Sequence, residues 1–324
     1  MKHKKIFRFL LTLCFLLLLI FPSLSLEGAR KGLILWYHTV LPTLLPFMIC
    51  MNLMVSFGAV HLLAAPIAPI TRKLFGLSPS GSFVLLSGML CGYPMGAKNC
   101  SDFLDNAHLS LSEARCLYAV SSFPSPMFLA GYMMNMVNFG AQPLTSPLPL
   151  WKMAAAIYLP AIPLFFLSKA VYCPHCLPSS PAANHAAGDS AAQPSQLSVS
   201  PSLSLDEALL SSMEVMVKIG GYIMLFSILA AFIRRLPIPC ALPTALLITI
   251  AEMTTGIEYA SLNFSGLRRA LIICFGGAFG GLSGAFQVHS VTKNAGLSIR
   301  HYLFWKTVHG LLAVIVLALL TGPR

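Results

Sequence analysis

The chain has 324 residues, 56% of them hydrophobic and only 10% charged, with a mean hydropathy of +0.78. Soluble proteins carry about 25% charged residues, so an ordinary soluble enzyme, a disordered protein and a small disulfide scaffold are all excluded. The net charge of +11 is scattered in ones and twos between apolar stretches, which fits loops facing an anionic leaflet rather than nucleic acid. The expected fold is all-α: a polytopic membrane protein with about eight or nine transmembrane or re-entrant helices in two related halves.

The basic start (Lys2, Lys4, Lys5, Arg8) precedes an apolar run over residues 6–26. A cleaved signal peptide would use 9–21 as its apolar core, but no clear small-residue cleavage site precedes Glu27, so a retained helix is favoured. Residues 33–63 form the next apolar stretch, interrupted by Pro42 and Pro46 and followed by Arg72 and Lys73. Residues 82–97 are apolar and Gly-rich, and 98–115 are polar, with Asp102, Asp105 and Glu113. Residues 117–139 carry Pro124 and Pro126, and 151–172 complete the first half. Residues 173–205 are rich in Ser, Ala and Pro and cannot bury enough surface to offset ordering entropy, so a flexible linker is expected. Beyond it come 215–233, ending at Arg234 and Arg235, then 241–260 with Glu252 and Glu258, a Gly-rich 271–291, and 301–320.

The halves read alike. Each has a long helix ending in a basic pair, then a segment turning polar at a glycine (Gly92, Gly256), then a helix-breaking patch (121–126, 276–284) and a terminal helix. Matched breaks in two halves point to a transporter-type site, because lipid cannot satisfy the backbone groups a break frees. The alternative is that these residues make kinks and close helix contacts. The division is thus 1–32 as an N-terminal anchor or signal-like helix, 33–172 and 206–324 as repeats, and 173–205 as linker. If every segment spans, Arg72, Lys73, Arg234 and Arg235 share the cytoplasmic face and Arg268 and Arg269 lie outside. If one segment per half is re-entrant, the halves have opposite orientation.

An ionisable residue at membrane depth is costly unless paired or hydrated, so each is a candidate. Glu252, with Thr254 and Thr255 beside it, and Lys98, just after the first break, are expected to line one polar site with Gly92, Tyr93, Pro94 and Gly96. Ser122, Pro124 and Ser125 from the first patch, and Ser283 and Gln287 after the Gly run, complete the candidate substrate-binding set. Glu258, His289, Asn52 and Ser56 are weaker additions. Each of these can instead make structural hydrogen bonds. The nine cysteines are an odd number and mostly sit in apolar stretches; Cys173 and Cys176 alone have C-x-x-C spacing, with no second pair to complete a zinc set. No nucleotide-binding or hydrolase motif is present, so no cofactor, metal or catalytic residue is assigned.

The stretch Ser87-Gly88-Met89-Leu90-Cys91-Gly92-Tyr93-Pro94-Met95-Gly96-Ala97-Lys98, with Leu41-Pro42-Thr43-Leu44-Leu45-Pro46-Phe47 and Phe123-Pro124-Ser125-Pro126, resembles the YlbJ family of sporulation integral membrane proteins. That family carries the nucleoside-recognition Gate domain shared with spore maturation proteins, concentrative nucleoside transporters and the ferrous iron transporter. The resemblance implies a multi-pass cell-membrane protein of a spore-forming bacterium, required for spore cortex formation, with no established substrate. A transporter or channel-like protein for a small polar solute is the leading reading, and a non-transporting scaffold or signalling component is the alternative. Expected partners are the bilayer, a small polar solute, and a second copy or other sporulation membrane proteins.

Overall fold

The computed structural model describes residues 2–144, 146–172, 204–292 and 296–322; among them every regular element is helical. α1 (Lys2–Ile20) leads into α2 (Pro22–Leu35), a π-helical turn at Trp36–Val40 and α3 (Leu41–Ser56). α4 (Val60–Ala64) and α5 (Ala68–Phe75) connect to α6 (Pro79–Cys91) and α7 (Met95–Asp105). α8 (Leu111–Val120) is followed by a second π turn at Phe128–Met133 and α9 (Met134–Asn138); α10 (Leu150–Tyr158) and α11 (Ala161–Tyr172) complete the first half. The second half comprises α12 (Leu205–Arg235), α13 (Ala241–Ala251), α14 (Met253–Asn263), α15 (Gly266–Phe279), α16 (Gly281–Val291) and α17 (Ile299–Thr321).

Local sequence sets these boundaries. Ser78, Ser110 and Ser204 are extended and accept the N–H groups of Gly81, Glu113 and Glu207, which starts α6, α8 and α12. At Ser204 the Glu207 carboxylate accepts the Ser204 N–H in return, a capping box, and each such cap contributes about 1 kcal/mol.

Five stretches are long and apolar enough to cross a bilayer: Pro22–Ser56, Leu150–Tyr172, Leu205–Arg235, Gly266–Val291 and Ile299–Thr321. Treating α5 and α6 as a sixth would need a 103° bend. A span takes about 20 apolar residues; α6, α7, α13 and α14 have 13, 11, 11 and 11. They instead fold back in pairs. Gly88 and Gly96 face each other across α6 and α7, and a Cβ on Gly96 would lie 2.8 Å from the Gly88 Cα. Across α13 and α14, Gly256 rests on the backbone of Thr249. Small residues let the two arms of each hairpin touch. The sequence segments at 82–97 and 241–260 are therefore hairpin arms, and fewer helices cross than the segment count suggests. The boundary expected at residue 32 falls inside α2.

Side-chain contacts fix the direction of each element. Glu27, early in α2, lies 3.5 Å from Arg234 at the end of α12. Asn52, late in α3, donates to Ser212 near the start of α12 at 2.9 Å. These helices are antiparallel. The Ser78 N–H donates to Glu113, Lys169 donates to the Phe75 carbonyl, and Trp305 donates to the Tyr172 hydroxyl. The mouth of the α6–α7 hairpin thus shares one end of the bundle with the start of α8, the end of α11 and the start of α17. At the other end the Ala141 N–H donates to the Ser261 carbonyl and Arg269 donates to the Gln142 carbonyl. The mouth of the α13–α14 hairpin is there. The hairpins enter from opposite ends.

This corrects the all-spanning expectation for the basic pairs. Arg72 and Lys73 lie at the first end; Arg234 and Arg235 lie at the second, with Arg268 and Arg269, because residues 241–263 return to the side they left. The linker read at 173–205, with Cys173 and Cys176, lies outside the described residues up to 203. In a chain without other cysteines, Asn106→Cys and Asn263→Cys, both exposed, are expected to react with a membrane-impermeant maleimide from opposite faces of the membrane. Labelling of both from one face would contradict the hairpin arrangement.

Candidate functional site: four helix breaks around one cavity

Each half interrupts two helical stretches part-way along their length. The first half breaks at Gly92–Pro94, between α6 and α7, and at residues 122–125 after α8. The second breaks at Glu252, between α13 and α14, and at Gly280, between α15 and α16. Gly92 (φ +78°) and Gly280 (φ +85°) adopt backbone conformations that side chains disfavour. Space forbids a side chain too: a Cβ on Gly92 would sit 2.8 Å from the Ser125 nitrogen, and one on Gly280 would sit 2.8 Å from the Tyr93 ring.

The freed backbone groups cost several kcal/mol each if left in hydrocarbon, and here side chains satisfy them. The Tyr93 hydroxyl donates to the Ala278 carbonyl at the end of α15 (3.0 Å), and the Tyr93 N–H donates to the Phe123 carbonyl (3.0 Å). Lys306 Nζ donates to the Ser122 carbonyl (2.7 Å) and the Tyr158 hydroxyl to the Pro124 carbonyl (2.9 Å). Ser125 Oγ accepts the Phe128 N–H (3.2 Å), and the Tyr132 hydroxyl donates to the Thr254 carbonyl (3.0 Å). Glu252, 2% exposed, caps α14: its Oε2 accepts the Thr255 N–H (2.6 Å) and the Thr254 hydroxyl (2.5 Å). A carboxyl group at a helix N-terminus also meets the positive end of the helix dipole.

All four breaks meet at one cavity of about 40 Å³, whose wall includes Tyr93, Pro124, Ser125, Glu252, Thr254 and Gln287. At about 15 Å³ per water this has room for roughly two or three water molecules.

The structure brings together Tyr93, Pro124, Ser125, Glu252 and Gln287 from the sequence-derived set. Gly92 supports the wall from behind, against Ser125, and Pro94 forms the cis Tyr93–Pro94 bond at the tip. Ser122 contributes its carbonyl to Lys306, and Ser283 stands behind Gln287, whose side-chain amide donates to it at 3.1 Å. Gly96 serves hairpin packing. Two placements are corrections. Lys98 pairs with Asp102 at 2.7 Å, because residues four apart share a helix face, and it does not reach Glu252. The Thr255 hydroxyl turns to Ser227 on α12 (3.0 Å), outside the cavity. Glu258 lines a separate crevice with Glu27, Lys31 and Arg234, Asn52 binds Ser212, and His289 is exposed. The break matching Gly92 is Glu252 rather than Gly256.

Sequence reasoning passed over Lys306 and His309, which are 1% and 2% exposed. The available signal was the one used for Glu252: ionisable residues inside an apolar helix. Tyr93→Phe, which strips the Ala278 carbonyl of its donor, is expected to destabilise the protein by about 1–3 kcal/mol. Lys98→Met, which removes a half-exposed ion pair, is expected to cost about 1 kcal/mol or less. Thermal unfolding in detergent distinguishes them, and equal losses would contradict the assignment.

No solved structure matches the chain. Residues 37–139, covering the first hairpin and the first broken stretch, match the family described as Gate, nucleoside recognition. Over 334 aligned residues the chain is 27% identical to the sporulation integral membrane protein YlbJ of Bacillus subtilis (strain 168), across 93% of this chain and 79% of that protein. The chain is a multi-pass, helical membrane protein similar to that sporulation protein, with a segment similar to the Gate family.

Proposed function

We propose that the chain is a sporulation-associated membrane protein, required for spore cortex formation, that moves a small polar solute through the central cavity. The observation that carries this reading is the convergence of four helix breaks on a cavity walled by a buried carboxyl group. Breaks persist at depth where they face protein, water or a ligand. Each half runs long stretch, hairpin, broken stretch, long stretch, and the two run in opposite directions, which we read as inverted repeats. In folds of that kind the solute site lies between the repeats, near the bilayer midplane.

In the cavity, Ser125, Thr254 and Gln287 offer uncharged polar groups beside Glu252. The Thr254 hydroxyl and the Thr255 N–H both donate to Oε2 of the carboxyl group, which fixes its position in the wall, where in this reading it meets a donor on the solute. A cavity of about 40 Å³ is far below the roughly 300 Å³ and more of ordinary ligand sites, so in this reading the site is contracted. Solute entry requires a hairpin to move away from the wall. The reading assigns no catalytic step, and its partners are the bilayer and the solute. The name of the Bacillus relative supports the sporulation setting, and the description of the Gate segment supports recognition of a small molecule.

Glu252→Gln preserves shape and the acceptor for the Thr255 N–H while removing the ionisable carboxyl group. Sporulating cells carrying it are expected to hold normal levels of the protein in the membrane and to form defective cortex. Lys98→Met cells are expected to form normal cortex. Normal cortex in Glu252→Gln cells would overturn the assignment of Glu252 to the site.

A further inference from the structure

The final helix holds a buried basic pair that solute binding leaves unused. Lys306 Nζ lies 2.7 Å from the Ser122 carbonyl, 3.0 Å from His309 Nδ1 and 4.9 Å from the centre of the Tyr93 ring. His309 Nε2 stands 2.8 Å from the Ile157 carbonyl. A carbonyl only accepts, so Nε2 carries the hydrogen and Nδ1 offers its lone pair to Lys306. Among the described residues no carboxylate forms an ion pair with Lys306.

A path leads from this pair to one end of the bundle. A cavity of about 130 Å³ there is lined by Arg115, Tyr118, Tyr172, His301, Tyr302 and Trp305. Tyr302, 1% exposed, stands one helical turn before Lys306 and beside Ser122. The buried hydroxyls of Tyr302 and Ser122 lie beside each other, between the end cavity and the buried amine. A hydroxyl both donates and accepts, so the two make a step along which a proton can be handed.

We infer that Lys306 and His309 bind the coupling proton of the transport cycle, exchanged with the end cavity through Tyr302 and Ser122. The coupling role rests on the proposed transport; the proton site itself does not. On binding, a hydronium ion gives one proton to the Nζ lone pair and leaves as water. On release the ammonium returns that proton to water, and no electrons are transferred. The ammonium has three donors and a charge that the face of Tyr93 attracts; the neutral amine has two donors and no such attraction. Tyr93 in turn holds the end of α15 through Ala278. Proton loss therefore loosens the α6–α7 tip from the wall of the central cavity, the movement that solute entry requires. The titratable groups around the pair are Tyr93 from the hairpin, Tyr118 from α8, Tyr158 from α10 and Tyr302 on α17. α15 presents Phe275 and Phe279 at Gly310, α16 leads to Thr292 against Tyr118, and α11 presents Tyr172 to Trp305. Arg115 and His301 stand at the cavity outside.

Hydrogen–deuterium exchange of the full-length protein in detergent, corrected for intrinsic exchange, reads the tip directly at residues 92–98 from about pH 5 to about pH 10, the range of ordinary His and Lys titration. In the native sequence, protection is expected to fall about tenfold or more as pH rises. Lys306→Arg is expected to stay protected and Lys306→Met to stay open across the range. The same pH profile in all three, or none in the native protein, would overturn the inference. If either Lys306 variant fails to fold, His309→Gln is expected to move the midpoint, and Tyr302→Phe to slow the response to a pH jump; no change in either overturns it. No solute takes part, so a flat profile here leaves the transport reading standing, and a failure of solute uptake leaves this profile unchanged.

Discussion

Hydrocarbon supplies no hydrogen bonds, and this chain breaks its helices at four places around one cavity. Three of the groups that satisfy those breaks come from the opposite half. Tyr93 in the first half holds Ala278 in the second, Tyr132 in the first holds Thr254 in the second, and Lys306 in the second holds Ser122 in the first. Each half is therefore incomplete alone: separated, it would expose carbonyls to lipid that only the other half can cover. The four breaks are the joint by which the halves are fastened.

The same joint makes a site. Two hairpins entering from opposite ends bring Tyr93 and Glu252 to one level, and the two broken stretches supply Ser125 and Gln287 between them. Close contact depends on absent side chains. Gly280 leaves room for the Tyr93 ring, and Gly88 and Gly96 let α6 and α7 touch beneath the Ser121 carbonyl. Packing of this kind is bistable rather than soft, so a hairpin leaving the wall would exchange one set of partners for another. A buried amine under Tyr93 is well placed to choose between them.

Much of this is legible in the sequence, for identifiable reasons. Gly92, Pro94, Pro124 and the 276–284 run stand out because glycine and proline carry backbone information that survives without a structure. Glu252 stands out because an acid in an apolar run has few innocent explanations. What escapes is facing. Lys98 adjoins the break in sequence, yet it points along α7 to Asp102, and position next to a motif says nothing about which face a side chain takes. Gly256 reads as the second break because glycine signals one; its use is contact with Thr249, and the break is made by Glu252, extended and capping α14. Lys306 and His309 are hidden inside a stretch whose mean hydropathy is 2.1, where averaging drowns two polar residues. Direction is undecidable for the same reason: an apolar segment of about 11 to 16 residues reads alike whether it is half a crossing or one arm of a hairpin.

The most direct test of the interlocked halves places the photo-crosslinker p-benzoyl-phenylalanine at position 93 in the full-length protein in membranes, with adducts mapped by mass spectrometry. The expected adduct lies within residues 276–281, at the end of α15. Adducts confined to residues 22–172, or to lipid, would contradict the meeting of the two halves at this cavity.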